Sequence, residues 1–519
     1  MKFLILISIV LGLSIGSNVS GTPIENFAPN SDEIDALNHP DIDRYYDKDD
    51  FLNYEDFDGE DEDADEDDDL EDYDVDDRNL AVDLLHSDSS KNKTNEEEKK
   101  KQDQTKQEQH HKSQHKRPKK PAHKPYQSKF INPHCEVSHC NRTNKCQCLS
   151  DLPPNGLNPM ENPQLILMAF DGAVTVTNFP FYVEFSKSIL NPGGCPVRVT
   201  YFVSHVDTNY RFVNELYRLG NEVGVHSITE SKNSRKEYWE KLDFDGWREE
   251  MSGQKKILVK YAKIPPHSIQ GARAPDLQTA GNVTYQALKD AEFSYDCSNP
   301  SRRGIETPFF PYTLDYGFQQ DCQVRPCLKA DQYFPGFWDL PMNDWIVNYT
   351  VEGESVLREC ATASACLLFN EDGSVNYHPT ADQIYDLFMY NFERYYYGNR
   401  AMFPLYLNEE WMHDEQKRLG LKKFMEKVLK RDDVFFVTIQ EGLRWMRKPF
   451  NAKDYLEKQR KCKPLLRSRC GKADVNDVEA SDHRCRFLHI GELNGLNKDM
   501  FICDGIHCPQ QYPWLGRIE

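Results

Sequence analysis

The stretch 164–178, QLILMAFDGAVTVTN, constrains this chain more than any other. Leu165 to Phe170 is an unbroken apolar run of strand length, and it halts at Asp171 and Gly172. A strand with no polar face needs cover on both sides, which is the condition of a parallel sheet wrapped in helices. In such folds the carboxyl ends of the strands converge on the functional face, so an acid placed there is a candidate base or metal ligand. Read locally, the same two residues make a turn, with the glycine supplying a positive φ.

The rest of the chain repeats the pattern. Short apolar runs at 197–204 (VRVTYFVS), 222–225, 269–274, 401–407 and 434–438 read as strands. Between them, 210–219, 239–261 and 415–430 carry apolar residues at helical spacing. Strands alternating with helices predict βαβ units and a parallel sheet. Asp171, His226, Arg273 and Asn408 each stand at the end of one of these expected strands, which is the convergence an active site needs.

Charge and cysteine divide the chain into segments. Residues 1–21 read as a secretory signal, with Lys2 ahead of the apolar run FLILISIVLGL and small residues after it. That run is too short to span a bilayer, and no other approaches the required length, so a secreted protein without a membrane span is expected. Residues 22–90 hold 28 acidic against three basic side chains and bury too little to fold, so an acidic disordered tail is expected. Such a tail is a solvating segment or a binder of calcium or basic matrix proteins. Residues 91–130 form a basic linker rich in Lys and His, and a nucleic acid partner is not expected behind a secretory signal. The formal net charge of −21 therefore belongs to the tail rather than to the folded part.

Of the 15 cysteines, all lie at or beyond Cys135, in a lead-in at 131–160, in a domain at 161–450, and in an appendix at 451–519. In an oxidising compartment they read as disulfides, and an odd count leaves one unpaired or paired with another chain. A thiolate zinc site is disfavoured because no CxxC pair occurs. Sequons stand at Asn92, Asn141, Asn282 and Asn348.

The motifs AFDG (169–172), VGVHSITE (223–230), GARAP (271–275), WDLPM (338–342) and PLYLNEEW (404–411) occur in this order. Together with FVSHVDTNY, PFFPYTLDYGFQQDC, NFERYYYGNRA and the closing CPQQYPWLG, they resemble the polysaccharide deacetylases (NodB-like). The likeness is strongest to the chitin deacetylase-like proteins of invertebrates, over 135–519. The resemblance implies a distorted (β/α) barrel and a divalent metal held by an acid and two histidines. It also implies an acid–base pair acting on an N-acetylated polymer such as chitin. Carried over residue by residue, Asp171 stands at the base, Arg273 at its orienting partner and His226 at the first metal histidine. Three positions depart: Gly172 replaces the metal-binding acid, Glu230 the second histidine and Asn408 the general-acid histidine, and an amide exchanges no proton near neutral pH. Ala169 and Asp276 are further departures.

Two readings of function follow from the resemblance. In one, the chain binds chitin or a related polysaccharide in the extracellular matrix with a degenerate site, using Tyr312, Trp338, Trp345 and Trp411 to stack on sugars. In the other, His226, Glu230 and water hold zinc or cobalt and the chain removes N-acetyl groups. A third reading rests on the tail alone and makes the chain a structural acidic matrix protein. For each site residue a packing role stays open beside the functional one.

Overall fold

The computed structural model describes Ser128, Phe130, Asn132, Cys135 and then 138–518, apart from 142–144, 155, 157, 231–235, 330 and 472–482. The expected signal, acidic tail and nearly all of the basic linker, with the sequon Asn92, lie outside the described residues.

The strands are β1 (Gln164–Gly172), β2 (Thr200–Ser204), β3 (Glu222–Ser227), β4 (Gly271–Ala272), β5 (Tyr295–Asp296), β6 (Pro300–Ser301), β7 (Tyr312–Leu314), β8 (Phe334–Asp339), β9 (Met342–Asn343), β10 (Trp345–Val351), β11 (Glu354–Cys360), β12 (Leu368–Phe369), β13 (Val375–Asn376), β14 (Phe403–Asn408), β15 (Val434–Val437), β16 (Arg484–Ile490) and β17 (Leu496–Phe501). The main sheet runs β14-β1-β2-β3-β4-β5-β8-β7, with β15 also paired to β1. All its pairings are parallel except β7 with β8. The apolar run of β1 is central: β14 lies along one edge, and the other is shared by β15, against Gln164–Leu167, and β2, against Ala169–Gly172. Leu165 to Phe170 are buried, as a strand covered on both faces requires.

Helices connect the parallel strands on the outside. Phe179–Ser188 links β1 to β2, Tyr210–Arg218 links β2 to β3, Asn282–Asp290 links β4 to β5, and Glu415–Val428 links β14 to β15. The stretch 239–261 is not one helix. Lys236–Lys241 and Phe244–Tyr261 are separate, because Asp243 leaves helical geometry and its side chain accepts from the Gly246 N–H, starting a new helix. Pairing within 269–274 is confined to Gly271–Ala272, and Pro275 and the left-handed Asp276 (φ 54) follow closely.

The sheet curls. The guanidinium of Arg273, just past β4, lies over the rings of Phe202 on β2 and Tyr406 on β14, at 4.5 and 4.2 Å. Cys297, after β5, hydrogen-bonds the Tyr406 hydroxyl, so strands five places apart in the sheet order meet across its interior. Among the described residues β7 and β14 are not hydrogen-bonded to each other, so the ladder curls without closing. The fold is thus the distorted α/β barrel expected.

Seven disulfides staple it: Cys135–Cys148 and Cys140–Cys146 in the lead-in, Cys322–Cys327, Cys360–Cys366, Cys195–Cys462, Cys470–Cys503 and Cys485–Cys508. The odd thiol is Cys297, buried in the barrel. Cys195–Cys462 closes a loop of 267 residues and ties the appendix to the strand region.

Candidate active site

Four strand ends place the site. In the β1–β14 register Asp171 lies directly opposite Asn408, and in the β3–β4 register Val225 lies opposite Ala272, so His226 and Arg273 leave the sheet side by side.

Asp171 and Arg273 form the first pair, with Nη1 donating to Oδ1 at 2.7 Å. The guanidinium is fully buried and spends its other donors locally: Nε donates to the Cys297 carbonyl at 2.8 Å and Nη2 to the Cys297 thiol at 2.9 Å. Burial works against its charge most strongly, and Asp171, with Cys297 and Tyr406 after it, together overcome this and raise its pKa further. Cys297 is pushed up to about 11, by burial first and against the pull of Arg273, so it stays a neutral thiol. This network, with the two flanking rings, makes Arg273 a core residue as much as a site residue.

His226 and Glu230 form the second pair. His226 Nδ1 lies 2.8 Å from the Arg273 carbonyl, which only accepts, so Nδ1 carries a proton. The other ring nitrogen, Nε2, lies 2.9 Å from Glu230 Oε1. Burial disfavours the imidazolium, but the charge and hydrogen bond of Glu230, followed by the charge of Asp171, lift the ring to about 9. Burial likewise opposes the Glu230 carboxylate, and His226 overcomes it and holds the group below its usual value. The nitrogen that would face a metal is therefore engaged in an internal ion pair.

The Asn408 side chain turns back to accept the Trp411 N–H at 3.2 Å, capping the short helix Glu409–His413. Gly172 has φ +121, a backbone region that L side chains rarely adopt. Against it packs Glu409, whose carboxyl is pushed up to about 8 by burial and then by the charge of Glu230. Glu409 stands inside the PLYLNEEW motif, and its signal in the sequence is an acid directly after Asn408 in a chain with glycine at 172.

The family's ion does not fit these side chains as they stand. Among the described residues, the only three donors of His, Cys, Asp or Glu whose ligand atoms lie within 4.8 Å of one another are Cys135, Cys140 and Cys148, and all three are in disulfides. Gly172 offers no donor, Asp171 is engaged by Arg273, and His226 and Glu230 face each other.

The four aromatic residues expected to stack on sugar do not line a groove. Tyr312, Trp338, Trp345 and Trp411 are all buried in the core, so no ring face is open to a polymer. The Tyr312 hydroxyl donates to Asp339 at 2.7 Å, Arg447 covers Trp338, Trp345 Nε1 donates to the Pro404 carbonyl at 2.9 Å, and Trp411 stacks on Phe388. Large rings bury more area per residue than any other side chain, and here that decides their role. Of the described sequons, Asn348 is exposed on β10, whereas Asn141 and Asn282 are partly buried.

No family model matches the chain. It is 31% identical over 385 residues to chitin deacetylase 8 of Bombyx mori, covering 74% of this chain and 92% of that protein. It is 30% identical over 400 residues to chitin deacetylase 1 of Bombyx mori, covering 74% of this chain and 68% of that protein. Among solved structures, a putative polysaccharide deacetylase from Mycobacterium smegmatis is similar at 13% identity with a TM-score of 0.33, covering 59% of this chain and 95% of that one. With identity at this level across most of both silkworm proteins, and the ordered motifs at the strand ends, the chain belongs to the polysaccharide deacetylase family, among its chitin deacetylase-like members.

Proposed function

We propose that the chain is a secreted matrix protein that binds chitin or a related N-acetylated polysaccharide without hydrolysing it. The observation that carries the reading is the His226–Glu230 pair: the ring nitrogen left for a metal is bound to a carboxylate. Asn408 adds to it, since an amide that caps a helix hands no proton to a leaving amine. Deacetylation in this family's manner needs a metal to polarise the amide carbonyl and an acid to protonate the nitrogen. General acid–base catalysis alone is worth about 10² to 10⁴-fold. Seven disulfides support an oxidising compartment, and among the described residues no helix is long and apolar enough to cross a membrane.

A second reading, an active zinc- or cobalt-dependent deacetylase, is favoured by the intact Asp171–Arg273 pair and by the names of the silkworm relatives. Two measurements on the purified secreted protein separate the readings. Retention on chitin beads above a denatured control, with no acetate released from chitin oligomers in added zinc or cobalt, is expected. Acetate release with stoichiometric metal establishes the second reading instead, and absence of retention removes the binding role.

A further inference from the structure

We infer that Glu409 has taken the space of the missing side chain at position 172 and closes that side of the site to a metal ion, an inference that rests on the non-hydrolytic reading above. A Cβ added to Gly172 would lie 2.8 Å from both Cγ and Cδ of Glu409, closer than real Cβ atoms approach a neighbour, and 3.2 Å from its Cβ. Glu409 follows Asn408, which is opposite Asp171 in the sheet, so its side chain crosses from the end of β14 to the end of β1.

The carboxyl group is held in place by the loop after β1. The Ala173 backbone N–H donates to it, and Asn178 Nδ2 donates to Oε2 at 3.4 Å. Asn178 is itself fixed, donating to the Ala173 carbonyl at 2.8 Å and accepting from the Thr175 N–H at 2.9 Å. These donors orient Glu409 toward the 173–178 loop, and its oxygens form no close donor group with His226 and Glu230. Gly172 and Glu409 are therefore one coupled change: a glycine that vacates space and a glutamate that fills it. An acid restored at 172 must displace the Glu409 side chain, in addition to the backbone strain that φ +121 imposes on any side chain there.

The test compares zinc content by mass spectrometry and zinc affinity by calorimetry for three full-length secreted proteins. These are the natural chain, Gly172→Asp/Glu230→His, and the same pair with Glu409→Ala. The natural chain is expected to be zinc-free, and the triple variant to bind one zinc at least about 10-fold more tightly than the double variant. Equal affinity of double and triple variants overturns the inference. So does stoichiometric zinc in the natural chain that is lost in Glu409→Gln, because Glu409 is then a ligand and not a plug.

Should the multiple variants fail to fold, thermal unfolding still decides. Gly172→Ala is expected to lower Tm by several degrees, and adding Glu409→Ala to recover part of that loss; the same loss in both backgrounds refutes the contact. Chitin-bead retention is recorded on the same samples, so its failure strikes the binding role and leaves the Gly172–Glu409 coupling standing.

Discussion

Two groups of residues at the strand ends are held differently. Asp171 at the end of β1 and Arg273 after β4 form a pair; Gly172 beside Asp171 on β1, Glu230 after β3 and Asn408 at the end of β14 are the positions proposed above to depart from the family. Burial separates them. Arg273 is wholly buried between two rings and bonded to Cys297, whereas Glu230 keeps 30% of its side chain exposed and Asn408 lies at an exposed strand end. A residue embedded in the core is retained for stability whether or not chemistry is needed, and rim residues change at small cost. Retention of Asp171 and Arg273 is thus weak support for activity on its own.

The comparison can be broken most sharply at Arg273. Arg273→Ala strands the Asp171 carboxylate and leaves a cavity between Phe202 and Tyr406, so a loss of about 3–5 kcal/mol is expected in urea unfolding. A loss below about 1 kcal/mol would mean that the pair is held for function rather than for the fold.

A smaller effect tests what a buried acid does without a cation. Asp339 is bonded only by neutral donors, the Tyr312 hydroxyl and the Asn299 amide at 3.0 Å, and burial, followed by the charge of Asp296, pushes it up to about 7. Because the folded pKa is raised, its contribution is fully present below the unfolded value near 4 and is lost as pH rises through about 7. Unfolding free energy should therefore fall by a few kcal/mol at most between about pH 4 and 7, and Asp339→Asn should flatten that slope. An unchanged slope in the variant would show that Asp339 is compensated in some other way.

The smallest effect belongs to the rim. Asn408→His removes a helix cap worth about 1 kcal/mol and returns the family's residue, yet acetate release is expected to stay at background because the metal donors remain absent. Acetate released by this single variant would show that the acid alone had been lost.

Much of this molecule was legible before any coordinates. The apolar run ending at Asp171 fixed the central strand, and the alternation of runs and helical spacing fixed the parallel sheet, because periodicity is a local property of the chain. The one unbroken helix expected over 239–261 failed at Asp243, where a capping side chain outweighed an amphipathic pattern. The aromatic residues failed for a different reason: a tryptophan's sequence neighbours do not reveal whether its ring meets solvent or Phe388.

Residue identity alone settles which side chains stand at the strand ends, and with them that position 172 has no side-chain ligand atom and position 408 no group that titrates near neutral pH. The folded arrangement is what turns the second ring nitrogen of His226 to Glu230, seals Arg273 into the core and lays Glu409 over Gly172. The last two depend on distances between residues far apart in the chain, and such distances exist only once the sheet has curled and its strand ends face one another.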